Sequence, residues 1–185
     1  MKVKGLLVAA VATMICFGAQ NASAIEAPNH EGDFNLNVMA GFLSEYSGGI
    51  GANVSGDYVL VNSWWKGHFT VGGFLEFNKT TDKDWVPYVD MKYTNFAVMA
   101  RATYGLNITD KFEVHAGALA GLGFIAERIH YDTTAIEDAR ANTLRPCLGG
   151  LAGVRYFFSD SFGVTAEFNY SNYGALANVG VAFKF

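Results

Sequence analysis

Eight stretches of this chain alternate, residue by residue, between apolar side chains and small or polar ones, and no other feature narrows its possible folds as much. A period of two belongs to the β-strand, whose successive side chains point to opposite faces. The stretches run Phe34 to Phe42, Ile50 to Leu60, His68 to Phe77, Asn95 to Tyr104, Phe112 to Phe124, Leu148 to Phe158, Phe162 to Tyr170 and Ala175 to Phe185. In the fifth, for example, Phe112, Val114, Ala116 and Ala118 alternate with Glu113, His115, Gly117 and Leu119. The connections fall into two classes. Residues 62–67, 105–111 and 159–161 are short and turn-like, whereas 79–92 and 128–146 are long and charged, with the shorter 43–49 and 171–174 on the same side. Short turns at one end and longer loops at the other predict an all-β fold, an eight-stranded antiparallel up-and-down barrel.

The first residues read differently. Lys2 and Lys4 precede an uncharged stretch from Gly5 to about Phe17, and Ala22-Ser23-Ala24 follows as a small-x-small cleavage pattern. This predicts a signal peptide over 1–24, a periplasmic N-terminal stub over 25–32 and a barrel over 33–185. The apolar stretch is shorter than the roughly 20 residues a membrane helix needs. Cys16 follows Ile15, where lipid attachment requires a small residue, so no lipoprotein is expected. Loss of Lys2 and Lys4 leaves 11 basic against 17 acidic residues, a net charge of −6. That balance gives no support to nucleic-acid binding, which wants a basic face. With Cys147 as the one remaining cysteine, no intramolecular disulfide is expected.

Alternation alone does not distinguish a membrane barrel from a soluble lipocalin-like barrel with its apolar face turned inward. Two features favour the bilayer. The weaker face is built of Gly, Ala, Asn, Ser and Thr, a poor coat for a water-soluble surface. The aromatic residues also form two tiers. Phe34, Trp64, Trp65, Phe69, Tyr104, Phe112, Phe158, Phe162 and Phe185 stand at the short-turn end, and Phe42, Phe77, Phe96 and Tyr170 stand eight residues further along their strands. Eight tilted residues rise roughly 20 Å, near the height of the apolar band of such barrels.

The last stretch, Val179-x-Val181-x-Phe183-x-Phe185, ends in a terminal Phe. It resembles the C-terminal signature of bacterial outer-membrane proteins, in which Val181, Phe183 and Phe185 would be the signal read by the barrel-assembly machinery. Over the whole mature chain the sequence resembles the small OmpA/OmpX-type outer membrane protein beta-barrel family. The resemblance implies residence in the bacterial outer membrane, both termini periplasmic, and carries no catalytic motif.

Parity places Glu76, Arg101, Glu113, His115, Glu127, Arg155, Glu167 and Lys184 inside the barrel. Counted from the aromatic of each strand, Lys184 and Glu113 lie one step in, Arg101, His115 and Arg155 three, Glu167 five and Glu76 seven. This predicts the pairs Glu76–Arg101, Arg155–Glu167 and Glu167–Lys184. An eight-stranded barrel is only wide enough for side chains to fill it, so a paired structural charge network is expected there.

The loops 79–92 and 128–146 are the expected surfaces for lipopolysaccharide or other surface ligands. His130, Asp132, Glu137 and Asp138 match no specific metal spacing, and no cofactor is expected. The Asn53-Val54-Ser55 and Asn107-Ile108-Thr109 acceptor patterns read as chance in a bacterial barrel. No His has a Ser neighbour suited to acyl transfer. The reading is therefore a monomeric, non-enzymatic outer-membrane protein with a structural or surface-interaction role. A narrow OmpW-like pore is the alternative, and a lipid-A-modifying enzyme a more distant one.

Overall fold

The computed structural model describes residues 29–41, 49–64, 67–82, 89–131, 139–172 and 174–185; the predicted leader 1–24 lies outside them. The alternating stretches become β1 (Phe34–Gly41), β2 (Gly49–Trp64), β3 (Gly67–Asp82), β4 (Val89–Asn107), β5 (Phe112–Tyr131), β6 (Ala139–Phe157), β7 (Phe162–Ser171) and β8 (Gly174–Lys184). Each pairs antiparallel with the next, and β8 closes the sheet against β1, giving the eight-stranded barrel expected. Closure leaves no edge through the body of the wall. Phe34 and Phe185 complete it by exchanging backbone hydrogen bonds of 3.0 and 2.9 Å.

The barrel is inside-out relative to a soluble one. Val38, Val54, Leu75, Phe77, Phe96, Val98, Leu122, Phe124, Val164, Phe168 and Val179 are all exposed on the outside. The buried set is instead rich in Asn35, Asn37, Asn53, Ser55, Asp57, Thr70, Arg101, Glu113, His115, Arg155 and Glu167. A continuous apolar outside of this kind is unstable in water and matched to lipid. Tyr104 and Phe96 bracket its height on β4, and Ala100, exposed midway between them, marks its centre. Ala100→Arg is therefore expected to cost about 2–4 kcal/mol of folding stability in lipid vesicles. A urea titration that moved by less than half of that would contradict the lipid-facing assignment.

Strand lengths make the rim uneven. β2 to β6 run 16 to 20 residues, while β1, β7 and β8 have 8, 10 and 11. Spanning takes about 9–11 residues, so one side of the barrel rises well past the bilayer. This corrects the predicted loops 79–92 and 128–146. Most of both is strand, leaving 83–88 and 132–138, which with Asp132, Glu137 and Asp138 lie outside the described residues. Alternation fades in these segments because the outer face there meets water, yet the backbone ladder continues.

Pro146, which ended the predicted loop, sits inside β6. Leu148 N–H donates to Asn172 Oδ1 at 2.9 Å, and Pro146 C=O accepts from Asn172 Nδ2 at 2.8 Å, so this side of β6 faces the end of the short β7. The hydrogen a proline lacks falls there, where no ladder partner is lost.

The chain enters from the short-turn end. Asn29 to Asp33 curl across that mouth, held by His30 N–H to Asp33 Oδ2 at 2.8 Å and Gly32 N–H to Val59 C=O at 3.0 Å. Gly32 adopts φ 95°, a left-handed conformation that a side chain would strain. Asn29, from the segment expected to form a stub, thus reaches back into the barrel, while His30, Glu31 and Gly32 stay exposed.

Candidate functional site

The interior is layered. Nearest the short-turn mouth, every strand but β8 contributes to one polar cluster. β1 brings Asn35 and Asn37, β2 Asp57, β3 His68, β4 Arg101, β5 Glu113 and His115, β6 Arg155 and β7 Glu167. Each is buried because parity turns it inward and a lumen this narrow admits no bulk water.

Two guanidiniums organise the cluster. Arg155 Nη2 lies 2.7 Å from Asp57 Oδ2, its Nη1 3.1 Å from Glu113 Oε1, and its Nε donates to Asn37 Oδ1 at 3.2 Å. Arg101 grips Glu167 with both terminal nitrogens, at 2.9 and 3.1 Å. Its Nε stands 2.6 Å from Asp57 Oδ1, an ion contact off the hydrogen-bond axis. Asp57 is therefore the bridge between the two arginines. His115 links the carboxylates from the other side, with Nε2 3.0 Å from Glu167 Oε1 and Nδ1 3.1 Å from Glu113 Oε1. His68 Nε2 lies 3.4 Å from Glu113 Oε2, and the Asn29 amide donates to the same carboxylate oxygen while accepting from Asn35 at 3.0 Å. Burying carboxylates costs several kcal/mol each unless they are paired and hydrogen-bonded, and these are.

Room for the cluster comes from the wall. A Cβ on Gly153 would sit 2.7 Å from both Glu167 Cγ and His115 Nε2, so only glycine lets those side chains meet there. Above the ions, Phe74, Ala97, Met99, Leu119, Cys147 and Leu151 form a buried apolar cluster in the lumen. Beyond that layer polarity returns. Asn53 donates to Asn178 at 2.6 Å, and Asn95 donates to Asn78 and Asn78 to Glu76, both at 2.8 Å.

Residues 8–185 match the family described as outer membrane protein beta-barrel domain. The chain belongs to this family. It is accordingly a β-barrel of the bacterial outer membrane. No curated protein matches the sequence. Solved structures of similar fold include the attachment invasion locus protein Ail of Yersinia pestis, crystallised with the heparin analogue sucrose octasulfate (15% identity, 84% of this chain and 100% of that one, TM-score 0.54). Neisserial surface protein A is similar at 18% identity over 83% of this chain and 97% of its own, TM-score 0.54. OprG of Pseudomonas aeruginosa is similar at 11% identity over 86% and 99%, TM-score 0.53.

Within this outer-membrane barrel, Arg101, Glu113, His115, Arg155 and Glu167 stand together, but not in all the pairs expected. Arg101 meets Asp57 and Glu167 rather than Glu76, whereas the expected Arg155–Glu167 pair is present as a longer ion contact of 3.9 Å. Glu76 lies beyond the apolar layer with Asn78 as its partner. Lys184, half-buried at the mouth, is 4.0 Å from Asp33 and 5.7 Å above the Phe157 ring instead of beside Glu167. Glu127 is half-buried toward the loop end.

The stagger between tilted neighbours explains the shift. Residues at equal depth along adjacent strands are not at equal height. Asp57 shares the inward parity of Asn53 and Ser55, so it was within reach of sequence reasoning. His68 heads the third alternating stretch beside a short turn and is not counted among the inward charges, and no sequence pattern signals that Asn29 enters the barrel.

Of the predicted assembly signal, Val181 stands opposite Val38 and Val164, and Phe183 opposite Leu36 and Phe162. Its ring lies 5.5 Å from that of Phe162.

Proposed function

We propose that this barrel is a closed, non-enzymatic surface protein that presents its tall β2–β6 wall, with the connections 83–88 and 132–138, on the outer face of the membrane. The observation that carries this reading is the filled lumen. Among the described residues, a paired ionic layer lies under an apolar cluster of Phe74, Met99, Leu119 and Leu151, which supports a closed lumen. That argues against the narrow pore. Nε2 of His68 and both ring nitrogens of His115 lie against carboxylates rather than a serine, which supports the absence of acyl-transfer chemistry.

Residues 1–24 act as a signal peptide in this reading, both termini face the periplasm, and Val181, Phe183 and Phe185 present the assembly signal. The closed sheet needs no partner strand, so the protein works as a monomer. What the barrel offers is a rigid, raised wall from which loops meet lipopolysaccharide or ligands outside. An epitope placed within 132–138 should be reached by antibody on intact cells, and one in the 159–161 turn only after permeabilisation. Planar bilayers loaded with the purified protein should show no unitary conductance. Steady conductance steps, or an inverted epitope pattern, would sink this reading.

A further inference from the structure

The polar level beyond the apolar cluster is built unlike the ionic one. In the ionic layer Asp57, Glu113 and Glu167 each meet an arginine. Glu76 occupies the next inward position of β3 after Phe74 and is buried. It has no ion pair among the described residues, and Asn78 is its hydrogen-bond partner.

The amides around Glu76 run in fixed directions. Asn178 Nδ2 donates to Leu176 C=O at 3.3 Å, and a carbonyl only accepts. Asn178 Oδ1 therefore accepts from Asn53, and Asn53 Oδ1 is buried without a donor. On the other side the Glu76 carboxylate takes the Asn78 amide nitrogen, so Asn78 Oδ1 accepts from Asn95. Asn95 Oδ1 is likewise buried without a donor. Both relays end in bare acceptors. Asn53, 2% exposed, stands directly opposite Glu76 across the β2–β3 ladder, so oxygen faces oxygen there. Two glycines of the wall make room for this arrangement. A Cβ on Gly41 would lie 2.7 Å from Asn178 Oδ1, and one on Gly51 would lie 3.1 Å from Asn78 Cβ.

Acceptors gathered around a buried carboxylate require positive charge. Water donates to amide oxygens but does not offset the carboxylate. Every donor is an oxygen, and among the described residues no group of three His, Cys, Asp or Glu is placed to hold a metal, so a softer ion has no seat. Amide oxygens carried on separate strands suit the flexible shell of calcium better than the strict octahedron of magnesium.

We propose that Glu76, Asn53 and Asn95 form a calcium site inside the barrel, above the apolar cluster. Glu76 supplies the charge, the two amide oxygens complete the face toward the ion, and Asn178 and Asn78 hold those amides in orientation. A single carboxylate makes the site weak, with a dissociation constant of roughly 10⁻⁴–10⁻³ M. The ion is bound rather than passed, since the apolar cluster lies beneath it.

Equilibrium dialysis of the full chain against labelled calcium chloride, in uncharged maltoside micelles, tests this. One ion should bind per barrel and resist an equal concentration of magnesium. Glu76→Gln should abolish uptake, Asn53→Ala should weaken it, and Asn178→Ala should weaken it about tenfold through the loosened Asn53 amide. Asp110→Asn, exposed in the turn at the opposite end, should leave it unchanged. Calcium should also raise the urea midpoint of the parent and leave that of Glu76→Gln where it stands in chelator. A boiled-against-unboiled mobility shift verifies folding, and Asn53→Ala and Asn178→Ala carry the test if Glu76→Gln does not fold. Absence of saturable uptake would overturn the proposal, the carboxylate then being neutralised by a proton. Uptake unchanged in the folded variants would overturn it too, as would equal displacement by magnesium. Epitope placement and planar-bilayer recording test the surface role separately.

Discussion

Replacing Arg155 with methionine is expected to destabilise the folded barrel by about 3–5 kcal/mol, because it strips the partner from carboxylates that stay buried. Arg155 is fully enclosed and holds Asp57 at 2.7 Å, Glu113 at 3.1 Å and Asn37 at 3.2 Å. Asp57 would retain Arg101, and Glu113 would retain only histidines and the Asn29 amide. The measurement is a urea unfolding curve in lipid vesicles, followed by tryptophan fluorescence. Adding Glu113→Gln to Arg155→Met should recover part of the loss, since the uncompensated charge goes with it. A double variant whose loss equals the sum of the two single losses would show that Arg155 and Glu113 are not coupled, against the contact described.

Phe74→Ala should be nearly as damaging, by about 3–5 kcal/mol, for a different reason. Phe74 is fully buried in the apolar layer, directly opposite Met99 and Ser55. Removing the ring opens a cavity that β-strands locked into a closed ladder cannot collapse to fill. The void also joins the Asn53–Asn178 level to the Arg101–Glu167 level, so water gains a path through the apolar layer. Planar bilayers should then show conductance events absent from the unmodified protein, and Phe74→Leu should show a smaller stability loss without them. A Phe74→Ala barrel as stable and as silent as the parent would mean that the seal lies elsewhere.

These two residues also separate what could be read from the chain and what could not. Phe74 and Arg155 both occupy inward positions that follow from counting by twos, and so do Arg101, Glu113, His115 and Glu167. The strand number, the antiparallel order and the division into a lipid face and a lumen face are local properties of the chain, since each strand alternates whatever its neighbours do. The extensions of β3 to Asp82, β4 from Val89, β5 to Tyr131 and β6 from Ala139 escaped that logic, because above the bilayer both faces tolerate polar residues.

Which charges meet was decided only by closure. Joining β8 to β1 imposes a stagger on every pair of strands, and this brings Arg101 level with Asp57 and Glu167 while leaving Glu76 beyond the apolar layer. The same stagger aligns Lys92 with Arg128 on the outside. Insertion of Asn29 into the mouth depends on a turn at Gly32 and on the Glu113 carboxylate, supplied more than 80 residues later by β5. Alternation along one strand thus determined what each side chain faces. The height at which it meets a partner belongs to the whole barrel, because that height is a sum over all eight tilted strands and is written in none of them alone.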